Sequence, residues 1–253
     1  MTIAIVTGAA SGMGKRFALT VKDNYQVDEI WAIDRDSEGL KELKKESSIK
    51  IKDVVLDLTK EESFTKFKDL LEKEKPNIKL LINAACYVIF DSVKDTTYEK
   101  NIGMVELNAL GLTKMTILSI PYMKSESKII NFSSMAAFEP IPYINIYAAT
   151  KAYVLSFSRA LKRELKKDNI GVMAVCPFWT KTKFFDRAVT QNKVVKKYVV
   201  MYNPEDVIKK AWKDLKKNKD YSAYGFITRL QIFLTKVMPH RFVMWYWMKQ
   251  QKL

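Results

Sequence analysis

Tyr147 and Lys151 stand four residues apart, and Ser134 precedes the tyrosine by thirteen. On a helix, positions i and i+4 share a face, so this spacing sets an ammonium beside a phenol. The positive charge favours the phenolate and lowers a pKa that otherwise lies near ~10. Such a tyrosine can give and take a proton near neutrality. A serine hydroxyl within reach could hydrogen-bond the oxygen on which that proton moves. A tyrosine and a lysine at this spacing are by themselves common on helix surfaces, so the elements that carry them decide the reading.

Those elements are legible. Ala152, Leu155, Phe157 and Leu161 continue from Tyr147 with helical periodicity, and Ser134 closes an apolar strand over 128–132. At the other end of the chain, Thr7, Gly8, Ala9, Ala10, Ser11, Gly12, Met13 and Gly14 lie between an apolar strand over 3–6 and a helix over 15–22. Glycines in such a turn allow positive φ and close backbone approach, and the helix N-terminus holds partial positive charge. Gly8, Ser11, Gly12, Met13 and Gly14 are therefore candidate pyrophosphate contacts. The spacing is TGxxxGxG, not the GxGxxG of the dinucleotide fingerprint.

Further strand-like runs at 30–33, 53–56, 80–83 and 171–175 alternate with helical stretches, without a linker or an internal repeat. Across 253 residues this predicts one α/β domain over 1–253. Parallel strands with crossover helices give a doubly wound, mostly parallel sheet of Rossmann type.

In this order the residues resemble the short-chain dehydrogenase/reductase family over nearly the whole chain. The resemblance implies hydride transfer between a nicotinamide cofactor and an alcohol or ketone, with Ser134, Tyr147 and Lys151 at the catalytic positions. It gives Asn108 a place in the proton relay, and Tyr147 and Lys151 contacts to the cofactor as well. Asp57 and Leu58 fall where the family meets adenine. Asn83, Ala84 and Ala85 resemble its NAG motif with alanine for glycine. Pro177, Thr180 and Thr182 resemble its PGxVxT clamp on the nicotinamide, with Phe178 in the glycine's place. The helices around 101–123 and 147–167 would form a homodimer or homotetramer.

Asp34 closes the second strand about twenty residues past the glycine run, where a carboxylate accepts hydrogen bonds from the adenosine ribose and repels a 2′-phosphate. This favours NAD. NADP stays open because Arg35, next in sequence, can bind a phosphate. The substrate side is apolar and aromatic: Phe90, Met135, Tyr143, Phe178, Trp179 and Phe185 are the candidate contacts, with Val88, Ile89, Phe138 and Phe184 nearby. Such a pocket suits a bulky hydrophobic alcohol or ketone, for example a steroid or bile acid. Ordinary core packing accounts for about half of these residues.

The chain carries a formal charge of +15, and residues 193–253 hold 14 Lys+Arg against 4 Asp+Glu. Its basic aromatic extension, 226–253, has Arg229, Lys236, Arg241, Lys249 and Lys252 and no acid. The reading favours a substrate lid or subunit interface there and keeps a peripheral membrane contact as the alternative. Arg229, Lys236, Pro239 and Arg241 exclude a spanning helix. No nucleic-acid motif is present, and the lysines of 193–219 are interspersed with acids. Two cysteines and one histidine argue against a structural metal. Reduced thiols, and Met1 to Val6 leading straight into the glycine run, point to the cytoplasm. The alternatives are a reductase of another carbonyl or acyl substrate, which would need polar pocket contacts the aromatic set does not suggest, and a nucleotide-binding regulator on the same fold without turnover.

Overall fold

Ile3, Ala4, Ile5 and Val6 have no exposed surface, as expected of a strand covered on both faces. They belong to β1 (Thr2–Thr7). The computed structural model describes residues 1–182, 184–185, 188, 190, 192, 194–198 and 200–253. Among these, β2 (Glu29–Asp34), β3 (Lys50–Val55), β4 (Asn77–Asn83), β5 (Met123–Phe132), β6 (Gly171–Val175) and β7 (Tyr221–Ser222) complete one sheet in the order β3-β2-β1-β4-β5-β6-β7. All its pairings are parallel. The winding reverses between β1 and β4, so a crevice opens beyond their C-terminal ends.

Strand periodicity sorts the core. Ala4, Val6, Ile30 and Ala32 face one layer, where they pack with Phe17 of α1 (Gly12–Thr20), Leu40 and Leu43 of α2 (Ser37–Glu46), and Trp212 of α7 (Pro204–Lys216). Ile3, Ile5, Trp31 and Ile33 face the other, against Phe64 and Phe67 of α3 (Glu61–Glu74), Met115 of α5 (Leu112–Ser119) and Leu161 of α6 (Asn145–Glu164). Each large side chain buried in this way stabilises the fold by about 1.5–3 kcal/mol. This is the doubly wound parallel sheet the sequence predicts.

Several boundaries differ from the sequence reading. The third strand begins at Lys50, because Lys50 and Lys52 belong to an edge strand whose alternate residues reach solvent. The two-residue β7 is too short to leave a periodic signal. The stretch over 101–123 is not one regular helix. It comprises α4 (Tyr98–Val105), a π-helical segment (Glu106–Gly111), α5 and a 3₁₀ turn (Ile120–Tyr122), before Met123 opens β5. Pro121, which cannot donate a helical hydrogen bond, stands at that exit. The extension forms α8 (Phe226–Val237) and α9 (His240–Gln251), joined through Met238 and Pro239. Among the described residues, no helix is long and apolar enough to cross a membrane.

Candidate active site

A cleft of about 1620 Å³ runs along the C-terminal ends of the strands. One half is built from backbone. Gly12, at φ +56°, begins α1, and a side chain there would project into open space. Gly14 lies so close to the Gly8 carbonyl that a Cβ would collide with it. No side chain of Ser11 caps α1, and its first turn holds no acid, so its N–H groups face the cleft without a built-in anion. Thr7 Oγ1 accepts from the amides of Ala84 (3.1 Å) and Ala85 (3.2 Å), clamping the end of β4 to the glycine turn. Asp34 Oδ2 accepts from Ala10 N–H and Oδ1 from Asp36 N–H, both at 3.1 Å, which fixes the carboxylate at the cleft edge beside Arg35. Asp57 and Leu58 line the same edge, with Asp57 Oδ1 accepting from the Thr59 amide (3.0 Å) and hydroxyl (2.8 Å). A pyrophosphate on backbone N–H groups and a ribose at a carboxylate fit this half.

The side chains expected to react meet where the two halves join. Tyr147 and Ser134 line the cleft together, and Ser134 Oγ accepts from Ala136 N–H at 3.1 Å. Lys151 is buried beneath them. Its Nζ donates to the Phe132 carbonyl at 2.9 Å and lies 5.3 Å from the centre of the tyrosine ring. Burial pushes the phenol above its usual range, the Cys86 thiol pushes it further, and the Ser134 hydroxyl opposes them. The direction is opposite to what Lys151 alone predicts, because desolvation of a buried phenolate outweighs the nearby ammonium. Burial likewise pushes the Cys176 thiol up to about 12.

Asn108 sits in the π-helical segment, fully buried. It accepts from Tyr87 N–H (3.0 Å) and donates to the Tyr87 carbonyl (2.9 Å) and to Thr150 Oγ1 (3.3 Å). Its side chain thereby braces the strand exit against α6, adjacent to Lys151. π-helical turns recur at functional sites because they re-aim a residue within an otherwise helical run.

The other half of the cleft is aromatic. Phe90 stacks with Phe185 (6.1 Å between ring centres), Trp179 packs on Phe185 (5.3 Å), and Phe184 leans toward Tyr147 (6.2 Å). The segment carrying Phe184 and Phe185 is tied to the opposite wall: Phe90 N–H donates to Ala188 O (3.0 Å), and Asn192 donates to Asp91 Oδ1 (2.8 Å). Farther along, Gln251 of α9 accepts through Oε1 from the amides of Lys196 (2.8 Å) and Lys197 (3.0 Å) and donates to Lys197 O (3.1 Å). The extension therefore latches one wall of the cleft.

Gly8, Ser11, Gly12, Met13, Gly14, Asp34, Arg35, Asp57, Leu58, Ala84, Ala85, Pro177, Thr180 and Thr182 all border the cleft, as do Phe90, Met135, Phe178, Trp179 and Phe185. Four expected site residues do not border it: Asn108, buried as described above, and Asn83, Lys151 and Tyr143. The amide of Asn83 donates to Thr116 Oγ1 and Asn131 Oδ1, both at 2.9 Å, so it joins β4 to α5 and β5 behind the cleft. Lys151 lies under its floor. Tyr143, at φ +65°, stands outside it and lines a separate small pocket with Asn101 and Met104. Phe178 borders the cleft but is largely buried with Met135, Ala223 and Ile232, so its ring serves mainly as a contact with α8. Sequence reasoning missed Thr7 as a clamp and Cys86 and Tyr87 as wall residues, although all three adjoin motifs it found. It also missed Thr97 to Lys100, which border the cleft from a polar stretch without any motif. Among the described residues, no cluster of His, Cys, Asp or Glu could hold a metal.

The profile of the short chain dehydrogenase family matches residues 2–193. A bovine very-long-chain 3-oxoacyl-CoA reductase is 33% identical over 193 residues, covering 71% of this chain and 60% of that protein. The chain thus matches about three fifths of the length of that relative. An NADP-dependent 3-hydroxy acid dehydrogenase of Schizosaccharomyces pombe is 32% identical over 186 residues, covering 71% of this chain and 72% of that protein. In fold, the chain resembles a structure of a 7β-hydroxysteroid dehydrogenase (TM-score 0.80, 20% identity, 97% and 96% coverage). It also resembles a short-chain dehydrogenase of Sphingobium yanoikuyae in complex with NADPH (TM-score 0.78, 22% identity, 94% and 97% coverage).

Proposed function

Because the chain belongs to the short-chain dehydrogenase family, we propose that it interconverts a secondary alcohol and a ketone on a bulky lipophilic molecule, with a nicotinamide cofactor. The observation that carries this reading is the pairing of Ser134 and Tyr147 on the cleft wall, at the junction of its glycine-floored and aromatic halves. The backbone N–H groups at Gly12 to Gly14 and the Asp34 carboxylate would hold a nicotinamide cofactor, which would supply or accept the hydride when bound. Ser134 holds the substrate oxygen, and Tyr147 gives it a proton in reduction or removes one in oxidation. Lys151, tied to Phe132 O, positions the phenol from below and supplies positive charge near the developing phenolate. Asn108 holds the Tyr87 backbone and Thr150 in place on the far side of that lysine.

NAD is the preferred cofactor in this reading, supported by the fixed carboxylate of Asp34 at the ribose end. NADP remains the competitor through Arg35. The substrate class rests on the aromatic wall. A steroid or bile acid fits it by chemistry, and a 3-oxo group on a long acyl chain is the second reading, favoured by the bovine relative's name. The exposed Ile102, Val105 and Leu110, together with Tyr153 of α6, suit the subunit contact of a homodimer or homotetramer. No nucleic-acid partner belongs to this reading.

Tyr147→Phe tests it. Turnover of a ketone panel containing steroids, bile acids and 3-oxoacyl thioesters should fall by about 10²–10⁴-fold. Quenching of protein fluorescence by NADH should be retained. Unchanged turnover would overturn the catalytic assignment. Cofactor binding without turnover of any ketone by the unaltered protein would favour the regulator.

A further inference from the structure

The pattern of α8 is inverted. A helix on the surface of a globular protein ordinarily turns its apolar stripe inward, yet here Thr228 and Thr235 are buried while Phe226, Leu230, Phe233 and Val237 are exposed. Their spacing of four, three and four residues places them in one stripe, flanked by exposed Ile227 and Leu234. Phe226 is 71% exposed, Val237 62% and Phe233 60%. On α9, Phe242, Trp245 and Tyr246 are likewise exposed at helical spacing. Contiguous exposed apolar surface of this kind marks an interaction site.

The charge around it selects the partner. Arg229, Lys236, Arg241, Lys249 and Lys252 are exposed along the two helices, and residues 226–253 contain no acid. Among the described residues, none of these cations is in an ion pair with a carboxylate. Lys249 Nζ instead stands 5.0 Å over the Trp245 ring, placing a cation against an aromatic side chain. Two copies of this surface brought face to face would oppose cations with cations. A surface that takes up apolar and aromatic side chains while presenting negative charge to the lysines and arginines around them is complementary.

We propose that the outer face of α8 and α9 docks in the interface of an anionic lipid bilayer. The helices lie in the plane of that surface, with Phe226, Phe233 and Trp245 entering the boundary between headgroups and acyl chains and the cations at headgroup level. This goes beyond the proposed reaction and does not depend on it. The inner faces of the same helices hold the cleft: Ile232 packs on Met135 and Phe178, and Trp247 packs with the cluster of Phe90, Phe184 and Tyr147. Docking therefore leaves the cleft wall intact.

Co-sedimentation of the full chain with phosphatidylcholine vesicles, with and without phosphatidylserine, tests the proposal. Binding should require phosphatidylserine and weaken with salt. Replacing Arg229, Lys236 and Arg241 by Gln should weaken it by about fivefold per cation. Phe233→Ser combined with Trp245→Ser should abolish it. These are exposed positions, and retained NADH binding would show that each variant is folded. Absence of binding to the anionic vesicles overturns the proposal, as does binding that survives the Phe233 and Trp245 changes. A concentration-dependent dimer lost with Phe233→Ser, without vesicle binding, would assign the face to a second copy instead.

Discussion

Gln231 Nε2 donates to Glu139 Oε1 at 3.0 Å, tying the inner side of α8 to the segment that follows Ser134. Burial raises the Glu139 carboxyl from 4.5 to about 7, with the Gln231 hydrogen bond pulling the other way. The folded state thus holds the proton more tightly than the unfolded chain. The stability contributed by the protonated form is fully present below about pH 4.5 and is lost as pH rises to about 7.

Glu139→Gln keeps the contact and removes the ionisation. Thermal melts should show the variant more stable than the parent above about pH 8, by up to roughly 3 kcal/mol, and equal to it near about pH 4. Equal melting at alkaline pH would show that Glu139 ionises without cost.

If Tyr147 exchanges the proton, its raised phenol should set the pH profile of turnover. A protonated tyrosine is the form that reduction needs, so kcat/KM for reduction should stay level through neutrality and fall only at alkaline pH. Oxidation needs the phenolate and should climb with pH over the same range. Cys86→Ala removes one of the groups raising the phenol, so both profiles should move toward lower pH. An unmoved profile would remove Cys86 from the electrostatics of the site.

Cofactor choice divides between neighbours. Asp34→Ala should shift the ratio of NADPH to NADH affinity toward NADPH by about tenfold, the scale of a charged hydrogen bond. Arg35→Ala should shift it the other way. Fluorescence titration of both cofactors reads the two changes, and a ratio indifferent to Asp34 would place discrimination elsewhere.

Gln251 makes three hydrogen bonds to the backbone at Lys196 and Lys197 and is fully buried. Gln251→Ala strands those groups, at a cost of about 1–3 kcal/mol. The expected signs are a lower melting temperature and faster proteolysis within 184–200, with a rise in KM for a bulky ketone. Unchanged proteolysis would show that other contacts hold this wall.

What was legible in the sequence was local. The glycine run and the Tyr147–Lys151 pair lie within single turns, where spacing fixes geometry, and the buried strands announce themselves by unbroken apolar runs. Asn83 and Asn108 were recognised by position, but their partners Thr116, Tyr87 and Thr150 are distant in sequence. The sign of the Tyr147 shift depends on how deeply the fold buries it, which no spacing records. Tyr143 falls in the stretch after Ser134 that the sequence assigns to the substrate side, yet it stands outside the cleft, with a left-handed backbone. In the basic aromatic extension the composition was visible, but which side of α8 meets the protein was not, because composition alone does not say which face is covered.

The Gln251 latch also imposes an order of assembly. Its partner Lys196 precedes it by 55 residues, so during synthesis the glycine turn, Tyr147 and the aromatic wall all emerge before the amides of that wall find their acceptor. A ligand held in the glycine-floored half of the cleft would favour the native arrangement of the sheet ends before α9 docks.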